Sequence, residues 1–123
     1  MIGKITEILD NLRKIDGVKT TLVVDRDGLL IAEGSNHETD SSETLASLFA
    51  RAIHSFERST KIATRDASGI QQLIVEREGD EKLIMFVASQ FFLVVVTKGA
   101  VNIGFIRMEM REVINQITPL LVS

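Results

Sequence analysis

A chain of 123 residues with 45% apolar and 25% charged side chains is sized and composed for one globular domain, expected to span residues 1–123. Fourteen Lys and Arg against 17 Asp and Glu leave a formal charge of -3, and Trp and Tyr are absent, which argues against a nucleic-acid binder built on clustered cations and stacked bases. The absence of cysteine excludes disulfides, thiolate catalysis and cysteine-bound zinc, and is compatible with a reducing cytoplasm.

From the N-terminus, Ile2, Ile5, Ile8, Leu9, Leu12 and Ile15 recur at helical spacing and Asp16-Gly17 supplies a stop. This amphipathic pattern lacks the apolar core expected of a signal peptide. Two β-branched, apolar runs follow, Val18 to Asp25 and Leu29 to Glu33, joined by Asp27-Gly28, a pair suited to a two-residue type I′ hairpin. After a polar loop from Ser35 to Thr39, Asp40 is placed to cap a second helix, with Glu43 reaching back as in a capping box. The expected buried stripe of that helix is Leu45, Leu48, Phe49, Ala52, Ile53 and Phe56, fading through Ile62-Ala63 before a loop at Asp66 to Gly69. Three strands come next: Ile70 to Arg77 and Glu81 to Ala88 around Gly79-Asp80, then Phe91 to Thr97 after Ser89-Gln90. Val101, Ile103, Ile106, Met110, Val113, Ile114, Ile117 and Leu121 mark a third helix, with Pro119 expected to fray or kink its last turn.

The order α-β-β-α-β-β-β-α, with short turns between strands, predicts an α/β fold built on a five-stranded, mostly antiparallel sheet. Phe91 to Val96 is apolar without alternation, as in a strand buried on both faces, so the architecture expected is a three-layer α/β/α sandwich. Two helices fit on one face and the second helix is left alone on the other. A helix is about 10 Å across, and five strands at about 4.8 Å spacing span roughly twice that, so something else has to cover this face. A second copy is the simplest cover. Ala46 and Ala50, four residues apart, form a smooth ridge, and with Ile53 and Glu57 they are the expected dimer interface, which would also join two edge strands.

Candidate chemistry is sparse. Asp25-Arg26-Asp27-Gly28 at the end of an apolar strand has the look of a haloacid-dehalogenase-type phosphatase loop, but the chain turns at once into another strand, and no later acidic pair is suitably placed to hold magnesium. An EF-hand also fails, because with Gly28 in its sixth position Gly34 falls where a bidentate glutamate is required. The tetrapeptide therefore reads as a turn. His37 and His54, the two histidines, lack metal-type partners at helical spacing. No nucleophile elbow or phosphate-binding glycine loop is present, so no catalytic residue, metal or cofactor is expected. The most apolar stretch, Leu83 to Val96, is broken by Ser89-Gln90 and falls short of the roughly 20 residues of a membrane span, so a cytoplasmic protein without membrane insertion is expected. On the second helix Ser47, Arg51, His54, Ser55 and Arg58 lie roughly opposite the stripe, a basic row on an acidic protein and the candidate partner-binding face. On the third, Arg107, Arg111 and Glu112 point outward.

The element order, the "VVDRDGLLIAEG" hairpin, the acidic-serine start of the second helix and "GAVNIGFIRMEMREVINQI", with Gly104-x-x-Arg107 opening the last helix, together resemble the roadblock family of dynein-light-chain-like domains over nearly the whole chain. The resemblance implies a homodimer or related heterodimer with a continuous sheet, and a role in binding or regulating Ras-like small GTPases, the catalysis belonging to the GTPase. Regulation by ordering the GTPase's own groups is favoured over an arginine finger from Arg51 or Arg58. The family also includes motor light chains and scaffolds without GTPase-activating activity. The alternative from another class is a PAS-like sensor of a small ligand; against it, the inferred interior offers Phe, Leu, Ile and Val and no convergent polar group.

Overall fold

A computed structural model describes residues 2–34, 42–65 and 69–121. The elements in chain order are α1 (Ile2–Arg13), β1 (Val18–Asp25), β2 (Leu30–Glu33), α2 (Ser42–Thr64), β3 (Gln72–Glu76), β4 (Lys82–Val87), β5 (Phe91–Thr97) and α3 (Ile103–Leu121). The strands form one sheet in the order β2-β1-β5-β4-β3, antiparallel at every pairing. The double-sided apolar run is the central strand, as its lack of alternation implies. Its alternate residues serve two cores. Phe91, Leu93 and Val95 face α1 and α3 together with Ile5, Leu9, Ile106 and Met110. Phe92 and Val94 face α2 together with Leu22, Val24 and Met85. This is the expected three-layer arrangement, with two helices on one face and one on the other.

The first hairpin is not the expected two-residue type I′ turn. Of its central residues only Gly28 has a positive φ, 94°. The Gly28 amide donates to the Asp25 carbonyl at 3.1 Å and the Asp25 amide to the Leu29 carbonyl at 2.9 Å, giving a three-residue loop with glycine in the left-handed position. The Asp25 carboxylate holds this loop: its Oδ1 accepts the amides of Asp27 and Leu29, each at 2.9 Å. Asp25 is thus a turn residue. Consecutive positive φ angles occur instead in the β3–β4 turn, at Gly79 (81°) and Asp80 (66°).

The expected cap formed by Asp40 lies outside the described residues. At α3 the cap is Asn102, whose Oδ1 accepts the Phe105 amide at 3.0 Å. Pro119 does not end α3, which runs on to Leu121. α1 is held close to the sheet at Gly34. A Cβ on Gly34 would run into Thr21 Oγ1 and lie 3.1 Å from the Leu9 carbonyl oxygen, the same oxygen that accepts a hydrogen bond from Thr21 Oγ1.

α2 sits on the opposite face, rotated roughly a quarter turn from the expected orientation. Ala46, Ala50 and Ile53 are buried against the chain's own sheet, whereas Leu48 and Phe56 are exposed, each at 48%. The assignment of Ala46, Ala50, Ile53 and Glu57 to a dimer interface is therefore corrected. Their row faces inward, and Glu57 is engaged by Arg26. The physical reason is the hairpin tip: a Cβ on Gly28 would lie 3.3 Å from both Ala50 Cβ and Ser47 Cα. The small side chains admit the chain's own turn instead of a twin helix.

Two substitutions test these contacts. Asp25→Ala is expected to lose about 1–2 kcal/mol of stability in denaturant titration, with Asp25→Asn, which keeps an acceptor oxygen, losing less; equal losses would argue against the turn role. Gly34→Ala is expected to cost about 1–3 kcal/mol through overpacking. Adding Thr21→Ala should recover part of it, a coupling read directly from a double-mutant cycle.

Candidate functional site

The candidate site is the outer surface of α2 with the hairpin that it carries. With the row from Ala46 to Glu57 inward, the helix presents two chemically distinct flanks. One bears Leu45, Leu48, Phe49, Ala52 and Phe56 and faces the β3–β4 half of the sheet. The other bears Arg51, His54, Arg58 and Lys61 and continues to Arg65, a basic ridge at 3-4-3-4 spacing. Arg65 follows the last helical residue with φ 57°, where cationic side chains also complement the C-terminal end of the helix dipole. Ser47, Arg51, His54, Ser55 and Arg58 are all exposed. Lys61 and Arg65 extend the same ridge at the same spacing, beyond the five residues expected from the sequence.

The hairpin tip is fastened to the basic flank. His54 Nε2 lies 2.8 Å from the Arg26 carbonyl oxygen; because a carbonyl only accepts, this nitrogen carries a proton. The Arg26 guanidinium reaches Glu57 Oε1 at 3.2 Å and lies over the Phe92 ring, 5.0 Å from its centroid. His54 Nδ1 stands 3.4 Å from the same carboxylate, and the imidazole meets Phe92 edge-on at 6.2 Å. Arg26, His54, Glu57 and Phe92 thus come together from β5, α2 and the turn. Glu57 is occupied by this network. Arg51 and Arg58 are exposed and have no ion-pair partner among the described residues.

The apolar flank borders an incompletely covered part of the sheet. Register pairs Leu73 with Met85 and Val75 with Leu83, and opposed residues share a face, so Leu73, Val75 and Leu83 lie on the α2 side. α2 approaches β1 and β2 most closely. Val75 is left 41% exposed, and a hollow of about 280 Å³ opens between Leu45, Phe49 and Leu83. β3 is an edge strand, with one side of its backbone unpaired in the sheet.

Residues 4–97 match the Roadblock/LC7 domain. The uncharacterized protein MJ0714 of Methanocaldococcus jannaschii is 34% identical over 113 residues, covering 92% of this chain and 92% of that protein. Among solved structures, Myxococcus xanthus MglB aligns with a TM-score of 0.86 at 22% identity, over 97% of this chain and 88% of that one. A Roadblock/LC7 domain from Streptomyces avermitilis aligns with a TM-score of 0.83 at 20% identity, over 96% and 98%. These two likenesses describe the fold. With the sheet order, the layering and the matched residues in agreement, the chain belongs to the Roadblock/LC7 domain family.

Proposed function

We propose that this protein is a non-catalytic, homodimeric platform that binds and regulates a Ras-like small GTPase. At the level of the family, a regulatory role in association with small GTPases is supported. The finer reading rests on one observation, the division of the α2 surface into an apolar and a basic flank.

The apolar flank serves self-association. Leu45, Leu48, Phe49, Ala52 and Phe56, with the open Val75 side of β3, make a continuous apolar face, and burying it against a twin removes that surface from water. Antiparallel pairing of two β3 edges would at the same time satisfy the unpaired backbone groups. This replaces the alanine ridge as the dimer contact and keeps the twofold arrangement.

The basic flank serves the GTPase. Arg51 and Arg58, with Ser47, His54 and Ser55 beside them, are held at a fixed distance from the hairpin tip by the Arg26–Glu57 pair. A rigid basic ridge steers and orients an acidic partner. Bond breaking belongs to the GTPase, whose own groups are ordered by the contact. A cytoplasmic setting accords with this role; no helix among the described residues is long and apolar enough to cross a membrane.

The two flanks are separable by substitution. Leu48→Asp with Phe56→Asp is expected to reduce the mass seen by light scattering to that of one chain; retention of the dimer would remove this face from the interface. Arg51→Glu with Arg58→Glu is expected to leave the dimer intact and to weaken binding of a Ras-like GTPase from the same organism, loaded with a non-hydrolysable GTP analogue, by about tenfold or more in calorimetry. Unchanged affinity would dismiss the ridge, and failure of every such GTPase to bind would dismiss the function.

A further inference from the structure

The face opposite α2 carries a feature that the GTPase reading leaves unused. α1 and α3 lie side by side over the sheet, and three hollows that share lining residues follow one another along the furrow between them. At one end it opens into a cavity of about 920 Å³ walled by Gly17, Gly99 and Val101. Ile15 and Phe105 pass from this cavity into a second hollow of about 300 Å³, and Ile8, Asn11 and Gln116 from there into a third of about 420 Å³ that ends at Leu120. From Phe105 to Leu120 the furrow follows α3 for roughly 22 Å, the length of a helix of about 15 residues. Phe105 lies in its wall, 43% exposed.

Charge is distributed along it unevenly. Glu7, Asp16, Glu109 and Glu112 line the furrow, and none of the four carboxylates has an ion pair or hydrogen bond among the described residues. Lys4 and Lys98 stand only at its two ends. A trough in which Ile8, Leu12, Ile15, Phe105 and Val113 stand among unpartnered carboxylates disfavours an acidic or neutral occupant, which would desolvate those carboxylates without compensation. A cationic one would pair with them. Beyond the loop-walled cavity at one end, the walls of the furrow are the helices α1 and α3, whose backbone groups are already bonded, so an extended segment there would find no ladder to join, whereas a helix satisfies its own backbone.

We propose that the α1–α3 furrow is a docking site for a helical segment of a partner protein, about four turns long, with an apolar stripe flanked by lysines and arginines. The site is independent of what α2 binds. It lies on the opposite side of the sheet, and its α3 wall is beyond the stretch matched to the family, which ends at Thr97. The protein would then join two unlike partners, an acidic one on α2 and a basic one on α1 and α3.

The probe is a designed peptide of about 15 residues with leucines at helical i, i+3, i+4, i+7 spacing and lysines on both flanks, compared with the same peptide carrying glutamates in place of the lysines. Titrated against the full chain at physiological salt, the lysine peptide is expected to bind at least about tenfold more tightly and to shift backbone amides of α1 and α3. Phe105→Glu, at an exposed position, and the pair Glu109→Lys with Glu112→Lys are each expected to weaken it by about tenfold, while Arg51→Glu with Arg58→Glu leaves it unchanged. Equal affinity for the two peptides, or shifts confined to α2, would overturn the proposal. So would self-association of the chain that Phe105→Glu abolishes, because a second copy would then be the occupant.

Discussion

A strand that is apolar on both faces has to be covered twice, and β5 imposes that demand on the whole molecule. On one side α1 and α3 meet it together. On the other α2 works alone, and its position is set by the close approach of Gly28 to Ala50, which draws the helix over β1 and β2. The incomplete cover over the β3–β4 half of the sheet is the direct result. The apolar flank of α2 borders that opening, and the basic flank lies beside the hairpin, so one packing contact decides where both kinds of surface appear.

Much of this architecture is legible in the residues. β1 and β5 occupy the runs that their composition marks out, the central place of β5 follows from its unalternating pattern, and the layering follows from the helix count on each face. The orientation of α2 is not legible from its apolar periodicity. Leu48 and Phe56 outweigh Ala46 and Ala50 in any hydrophobic pattern, yet the alanines are buried because a turn distant in sequence needs the room. The hairpin loop departs from its local pattern for a related reason. Asp27-Gly28 resembles a two-residue turn locally, but the carboxylate of Asp25, engaging two amides, favours the longer loop.

The candidate site divides along the same line. The basic ridge is written in local spacing, and extending the pattern from Arg58 by three and seven residues reaches Lys61 and Arg65. The network that fastens the turn to the helix is invisible locally: Arg26 and Glu57 are 31 residues apart, and Arg26 and His54 are 28 apart. Such a cluster exists only once the sheet has formed. The carboxylates of α1 and α3 are likewise ordinary solvated charges in the sequence and become a lined trough only when the two helices are set side by side.

The two margins of the sheet are unlike. β3 offers five residues in regular register with β4, whereas β2 offers four, and its pairing with β1 slips where Val23 meets Ala32 and Val24 meets Leu30. An irregular, abbreviated margin is a poor template for a further chain. Under the proposed pairing of two β3 edges, growth would therefore close after one addition, and the fold would carry its own protection against running on into a fibre.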